Sequence, residues 1–296
     1  MAGNLIVLRR RIKSVKNTQK LTRAMKTVAA AKLRRATTEL KKSRPYRDKI
    51  TFLLQQAAVG AALETQPFLK IRDQGAVLLV VVAGDKGLCG AFNSNVLKNS
   101  EAYYRELAAD GQAVSLITVG TKASRYFGKK NIEVKKSHNG VISRLQFADA
   151  GDLAAELQEL FLSGGFKSVE FAFSEFISAS RQKFSIRRLF PVVLEPAAAA
   201  DAEKEASAEK VDYIFEPGAA ALFQSLLPRH ISSVVYQTLL QSMAAEQMAR
   251  MVAMDLATRN ASDMIRALTL LLNKMRQAAI TNELLEIITA TEALNK

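Results

Sequence analysis

The chain has no tryptophan, one cysteine and two histidines in 296 residues. A single cysteine, Cys89, excludes an intramolecular disulfide. The histidines, His138 and His230, are far apart with no Glu or Cys cluster around either, so no metal site is expected. Long apolar runs are missing as well. The longest, residues 76–83, is strand-sized, far short of the roughly 20 residues that span a bilayer. Residues 1–11 have no apolar h-region and no cleavage site, so they do not read as a secretory signal. A reduced, soluble, intracellular protein is the expectation. At 49% apolar and 24% charged, the composition is that of a globular chain and excludes a disordered tail. Glycine and proline are absent from residues 4–44 and from 229–296, while every glycine but Gly3 falls from Gly60 to Gly218. Two long segments able to be uninterrupted helix therefore flank a turn-rich middle.

What is present is a lopsided charge. Residues 1–49 hold 16 Lys/Arg against Glu39 and Asp48, which is the whole formal net charge of +14. The other 247 residues are balanced, 26 basic against 26 acidic. Such a block is a surface for an acidic partner: nucleic acid, anionic lipid or an acidic protein. No aromatic residue for base stacking occurs up to Arg44, and no nucleic-acid motif is present.

In the first segment Leu8, Ile12, Val15, Thr18, Leu21, Met25, Ala29, Leu33, Ala36 and Leu40 recur at gaps of three and four, one helical stripe with Lys and Arg on the other faces. Pro45 is a point where this helix can kink. In the last segment Leu240, Ala244, Gln247, Met251, Met254, Thr258, Ala261, Ile265, Leu268, Leu272, Met275 and Ala279 alternate gaps of four and three, a heptad seam. It then shifts onto Ile280, Leu284, Ile287 and Leu294. A helix over 229–294 is roughly 100 Å long and one over 4–57 about 80 Å. Neither fits inside a compact domain of this size, so each needs a partner along its seam. The expectation is an antiparallel two-stranded coiled coil made from the two ends of the chain.

The middle reads as α/β. Strands are expected over 76–83, 114–119, 169–177 and 184–194, with Ser178-Ala179-Ser180 as the turn of the last pair, and helices over 95–109, 121–127 and 145–162. Parallel pairs with an antiparallel edge follow from that order. Residues 196–210 are a low-complexity linker.

No catalytic constellation emerges. Gly84-Asp85-Lys86-Gly87-Leu88-Cys89-Gly90 follows a strand and precedes a helix, where phosphate-cradling loops sit. Its G-x-x-G-x-x-G spacing is neither the dinucleotide fingerprint nor a P-loop, so a tight strand-to-helix turn is the better reading. Cys89 is a packing residue on the same grounds. Met243, Met248, Met251 and Met254 stand at helical spacing and read as core. No cofactor is expected.

Several stretches together are specific. They are RIKSVKNTQKLTRAMKTVAAAKL at 11–33, GDKGLCGAFN at 84–93, EQMARMVAMDLATRNA at 246–261 and NKMRQAAITNELLEI at 273–287, with YIFEP at 213–217. In this order the chain resembles, over essentially its whole length, the gamma subunit family of the bacterial F-type ATP synthase. Departures are small: Ala83 stands where the family commonly has serine, and residues 288–292 replace a glycine-containing stretch. The chloroplast-type insert with its cysteine pair is absent, so thiol regulation is not expected.

The resemblance implies a fold and a task. The N- and C-terminal helices form a two-stranded shaft, with a Rossmann-like small α/β domain inserted between them. It implies a coiled-coil helix over 1–60, an α/β domain over 61–195, a linker and foot segment over 196–227, and a second coiled-coil helix over 228–296. The shaft stands in a hexamer of alpha and beta subunits, above the epsilon subunit and the membrane-embedded c-ring, on the cytoplasmic face of the bacterial plasma membrane and without inserting into it. It couples proton flow to ATP synthesis and hydrolysis and breaks no bonds itself. By motif match Arg23, Met25 and Lys26 lie at the acidic loop of beta. Arg276, Gln277 and Thr281 correspond to a polar catch against a beta subunit, and Tyr213 and Glu216 to the foot on the c-ring. The other reading of the basic helix is a nucleic-acid-binding coiled-coil protein, whose binding would be strongly salt-dependent.

Overall fold

A computed structural model describes residues 2–59, 66–178, 181–193, 215–216 and 218–294. In chain order the elements are α1 (Ala2–Val59), β1 (Ala76–Val82), α2 (Phe92–Ala109), β2 (Val114–Val119), α3 (Thr121–Gly128), β3 (Val134–His138), α4 (Phe147–Leu162), β4 (Phe166–Ser178), β5 (Arg181–Phe190) and α5 (Ala219–Leu294). The chain divides into two compact units, one of residues 1–30 with 250–296 and one of residues 31–249.

The larger unit is built on a mixed five-stranded sheet of order β3-β2-β1-β4-β5. β3, β2, β1 and β4 run parallel and β5 is antiparallel to β4. β1 is apolar throughout because both its faces are covered, as central parallel strands require. Leu78, Val80 and Val82 face a core with Leu153, Leu157 and Phe161 of α4, and with Phe223, Ile231 and Val235 of α5. Leu79 and Val81 face the opposite core, with Phe92 and Val96 of α2, Phe127 of α3 and Ala245 of α5. Period-two alternation along one strand thus distributes its side chains between two layers.

Two elements differ from expectation. β3 was not anticipated: Val-Lys-Lys-Ser-His carries no apolar signal because it is a short edge strand, and its lysines protect the open edge. α5 begins at Ala219 rather than 229 and carries Pro228 in its interior, where the ring removes one backbone donor without ending the helix. Pro45 likewise lies within α1. The low-complexity linker, Ala179, Ser180 and Tyr213 lie outside the described residues.

Within this unit α1 and α5 meet through polar as well as apolar groups. Arg47 donates to Gln237 Oε1 at 2.9 Å, and His230 sits 3.4 Å from the Thr51 hydroxyl. His230 is buried, 9% exposed, and burial, with the Arg47 cation as a lesser cause, pushes its pKa down from 6.5 to about 4. The folded state therefore binds fewer protons than the unfolded state between these values, and stability falls as pH drops through that window. All six tyrosines lie within residues 31–249, so tyrosine fluorescence reports this unit. Between pH 7 and pH 5 urea denaturation is expected to show a loss of about 2 kcal/mol, which His230→Gln removes. An equal loss in the variant would show that His230 is not the source.

Candidate functional site

The smaller unit holds the first 30 residues of the basic segment and is an antiparallel helix pair. Its half-buried and buried residues on α5 include Met251, Met254, Thr258, Ala261, Ile265, Leu268, Leu272, Met275 and Ala279, the heptad spacing expected. On α1 they include Leu5, Leu8, Ile12, Val15, Gln19, Thr22, Met25, Lys26 and Ala29. Leu8, Ile12, Val15 and Met25 keep the anticipated stripe, but Gln19 and Thr22 take the places expected of Thr18 and Leu21; Leu21 is 62% exposed. The reason is visible in the bonds. Gln19 Nε2 donates to Ser262 Oγ at 2.7 Å, the Thr22 and Thr258 hydroxyls lie 2.8 Å apart, and Lys26 Nζ reaches Asp255 Oδ1 at 2.6 Å. Steps of three and four along α1 are matched by steps of four and three back along α5, which fixes the antiparallel register.

Asp255 also pairs with Arg259 at 2.8 Å. The hydrogen bond from Lys26, with the Arg259 cation, holds its carboxyl below the ordinary aspartate value. Lys26 is therefore neutralised within the chain, while Arg23 is exposed and Met25 half-buried beside it. Arg276, Gln277 and Thr281 are exposed on α5, and Thr281 Oγ1 donates to the Gln277 carbonyl at 3.0 Å. The structure brings Arg23, Met25 and Lys26 together. It keeps the second set apart, Arg276 being roughly 30 Å along α5 from Asp255. The register also carries α5 past the first described residue of α1, leaving Ile280, Leu284, Leu285, Ile287 and Ile288 between 49% and 62% exposed. Glu216, in the larger unit, is exposed.

The glycine loop is a turn with its polar groups committed. Leu88 (φ 61°) and Gly90 (φ 58°) are left-handed. Gly84 N–H donates to Asn93 Oδ1 at 2.9 Å, and a Cβ at Gly84 would meet the buried Glu246 carboxyl at 2.9 Å. The loop at Gly84 is thus packed against an acid of α5, with no room for a side chain there. Cys89 is buried, with Asn93 Nδ2 3.1 Å from its sulfur. Sequence reasoning missed Asp85, whose carboxylate accepts from Thr121, Gly140 and Ser143. The aspartate between two glycines was its only local signal. Among the described residues no cluster of metal-ligating side chains occurs, and no helix is long and apolar enough to cross a membrane.

A two-helix coil made from both chain ends, together with an α/β unit, defines the class as a coiled-coil protein with an inserted α/β domain. Residues 4–294 match the family model described as ATP synthase. The ATP synthase gamma chain of Pelotomaculum thermopropionicum is 41% identical over 287 residues, covering 97% of this chain and 98% of the relative. That of Geobacter metallireducens is 41% identical over 292 residues, covering 99% of each. Among solved structures, the Euglena gracilis mitochondrial ATP synthase rotor superposes with TM-score 0.64 at 18% identity, over 95% of this chain and 100% of that one. The central stalk of the Tetrahymena thermophila mitochondrial enzyme gives 0.57 at 24% identity, over 80% and 99%. The chain belongs to the ATP synthase gamma chain family. It is a central-stalk subunit of the F-type ATP synthase, non-catalytic within a membrane-associated complex.

Proposed function

We propose that this chain is the rotating shaft of its complex, with the segments 1–60 and 228–296 as the shaft helices, 61–195 as the body and 196–227 as linker and foot. The parallel strand order β3-β2-β1-β4 supports describing the body as Rossmann-like. Alpha and beta subunits surround the helix pair. The epsilon subunit and the c-ring meet the body and foot, through Tyr213 and Glu216 at the ring. Arg23 and Met25 face the acidic loop of beta, with Lys26 near that contact, and Arg276, Gln277 and Thr281 form the catch against a beta subunit. Proton flow turns the ring, the shaft turns with it, and its asymmetry drives the nucleotide sites in sequence. The complex works at the cytoplasmic face of the bacterial plasma membrane, and this chain does not enter the bilayer.

The observation that carries this reading is the antiparallel pairing of the chain's two ends, with the basic residues before Lys26 left outside the seam. The nucleic-acid alternative finds no support: the relatives are ATP synthase gamma chains. Co-expression with the alpha and beta subunits is expected to give a complex that co-purifies and hydrolyses ATP. Failure of this chain to enter such a complex would overturn the reading.

A further inference from the structure

The seam of the smaller unit changes character in its middle. Toward the start of α1, Leu5, Leu8, Ile12 and Val15 stand opposite Met275, Leu272, Leu268 and Ile265 by the bonded register. The next three layers are polar: Gln19 with Ser262, Thr22 with Thr258, and Lys26 with Asp255. Beyond them Ala29 and Met251 are apolar again. The two kinds of layer do different work. Apolar layers tolerate a slip of one heptad, because another aliphatic residue arrives at each position. Polar layers do not. A slip by seven residues sets Thr22 against Ile265 in one direction or Met251 in the other, stranding a half-buried hydroxyl. It also takes Asp255 away from Lys26, and a single buried polar pair is known to fix register in coiled coils at some cost in stability.

The lock has a rotational side as well. At 100° per residue, Met25 and Arg23 lie on either side of Lys26, about 100° one way and 60° the other. With Lys26 drawn inward to Asp255, and Asp255 held from behind by Arg259, the directions in which Arg23 and Met25 point are set. We propose that Asp255, together with the Thr22–Thr258 and Gln19–Ser262 pairs, is a positioning element that locks the register and rotation of α1 on α5 so that Arg23 and Met25 are presented at one fixed angle. The angular role rests on the reading of Arg23 and Met25 as partner contacts; the register lock does not.

The test uses the assembled complex in a Cys89→Ser background. Ile12→Cys is paired either with Leu268→Cys, in register, or with Met275→Cys, slipped by one heptad, and oxidised mildly. With the native seam only the in-register pair crosslinks. In Lys26→Leu/Asp255→Leu, with Gln19→Leu, Thr22→Val, Thr258→Val and Ser262→Ala added, the slipped pair is expected to rise about tenfold. The ratio of proton pumping to ATP hydrolysis in vesicles is expected to fall by about half. Asp255→Glu, which keeps the carboxylate, retains one register and the normal ratio. If the slipped pair stays silent in the apolar seam, the lock is overturned. If it crosslinks while the ratio holds, the lock stands and the angular role of Arg23 and Met25 falls. Should a variant fail to assemble, the same crosslinks on the purified chain decide the register.

Discussion

Met25→Lys is expected to lower the ratio of proton pumping to ATP hydrolysis several-fold while the complex still assembles. Met25 is half-buried on α1 between Arg23 and Lys26, within the segment that carries the whole net charge. The substitution removes an adaptable apolar contact. More important is what happens to the new cation. Asp255, the acid of α5 that bonds α1 in this stretch, is already shared between Lys26 and Arg259. A lysine at position 25 therefore finds no counter-charge there and is left to an acidic group on a partner. With Met25 at an acidic loop of beta, as proposed above, an ion pair formed in only some rotary positions, on the order of 1–3 kcal/mol, would deepen one well of the cycle. At about 2 kcal/mol the dwell in that well lengthens roughly thirtyfold. Hydrolysis continues through the remaining steps while transmission to the ring becomes inefficient. The measurement is pumping against hydrolysis in membrane vesicles, wild type beside mutant. An unchanged ratio with normal assembly would make Met25 ordinary seam packing.

The coil was legible because its period is long and the seam of its far helix is apolar at all but Thr258: the positions from Met251 to Ala279 alternate gaps of three and four, and the structure keeps every one of them on the seam. The α1 side was harder. Its seam runs through Gln19, Thr22 and Lys26, residues that a hydrophobicity pattern passes over in favour of the neighbouring Leu21. Polar seam positions become visible only when the partner's Ser262, Thr258 and Asp255 are placed opposite, and that needs the register. β1 announced itself by a continuous apolar run and β2 by the β-branched and aliphatic residues Val114, Leu116, Ile117 and Val119. β3 did not, since an edge strand with two lysines has no pattern to detect. The role of Asp85 lay furthest from view, because its partners are 36 to 58 residues away in sequence and two of its five bonds come from hydroxyls. Backbone donors carry no residue signature at all.

Asp85→Ala is expected to destabilise the larger unit by about 3 kcal/mol at pH 7. Asp85 sits just past β1, where the chain turns toward α2, and its carboxylate holds three other segments. It accepts from Thr121 N and Oγ1 at 3.0 and 3.1 Å, from Gly140 N at 2.8 Å, and from Ser143 N and Oγ at 3.1 and 3.0 Å. Thr121 opens α3 and Gly140 follows β3, so one side chain fastens the ends of three adjacent parallel strands. Gly120 shows how tight this corner is: a Cβ there would lie 2.0 Å from the Ala83 carbonyl oxygen. Hydrogen bonds to a charged group contribute roughly 1.5–3 kcal/mol each, and water replaces part of that at a half-exposed site. Partial burial alone would raise the Asp85 pKa, but the bonds from Gly140, Thr121 and Ser143 outweigh it and hold the carboxyl below the ordinary value. The stabilisation is thus present above the unfolded aspartate pKa of about 4 and is lost as pH falls through the lower folded value. Urea denaturation followed by tyrosine fluorescence is expected to give a constant gap between wild type and Asp85→Ala from pH 8 to 5, closing as pH falls below about 4. Asp85→Asn, which keeps one acceptor oxygen, falls between the two. A gap that persists undiminished at low pH would mean that the aspartate contributes by its shape rather than by its charge.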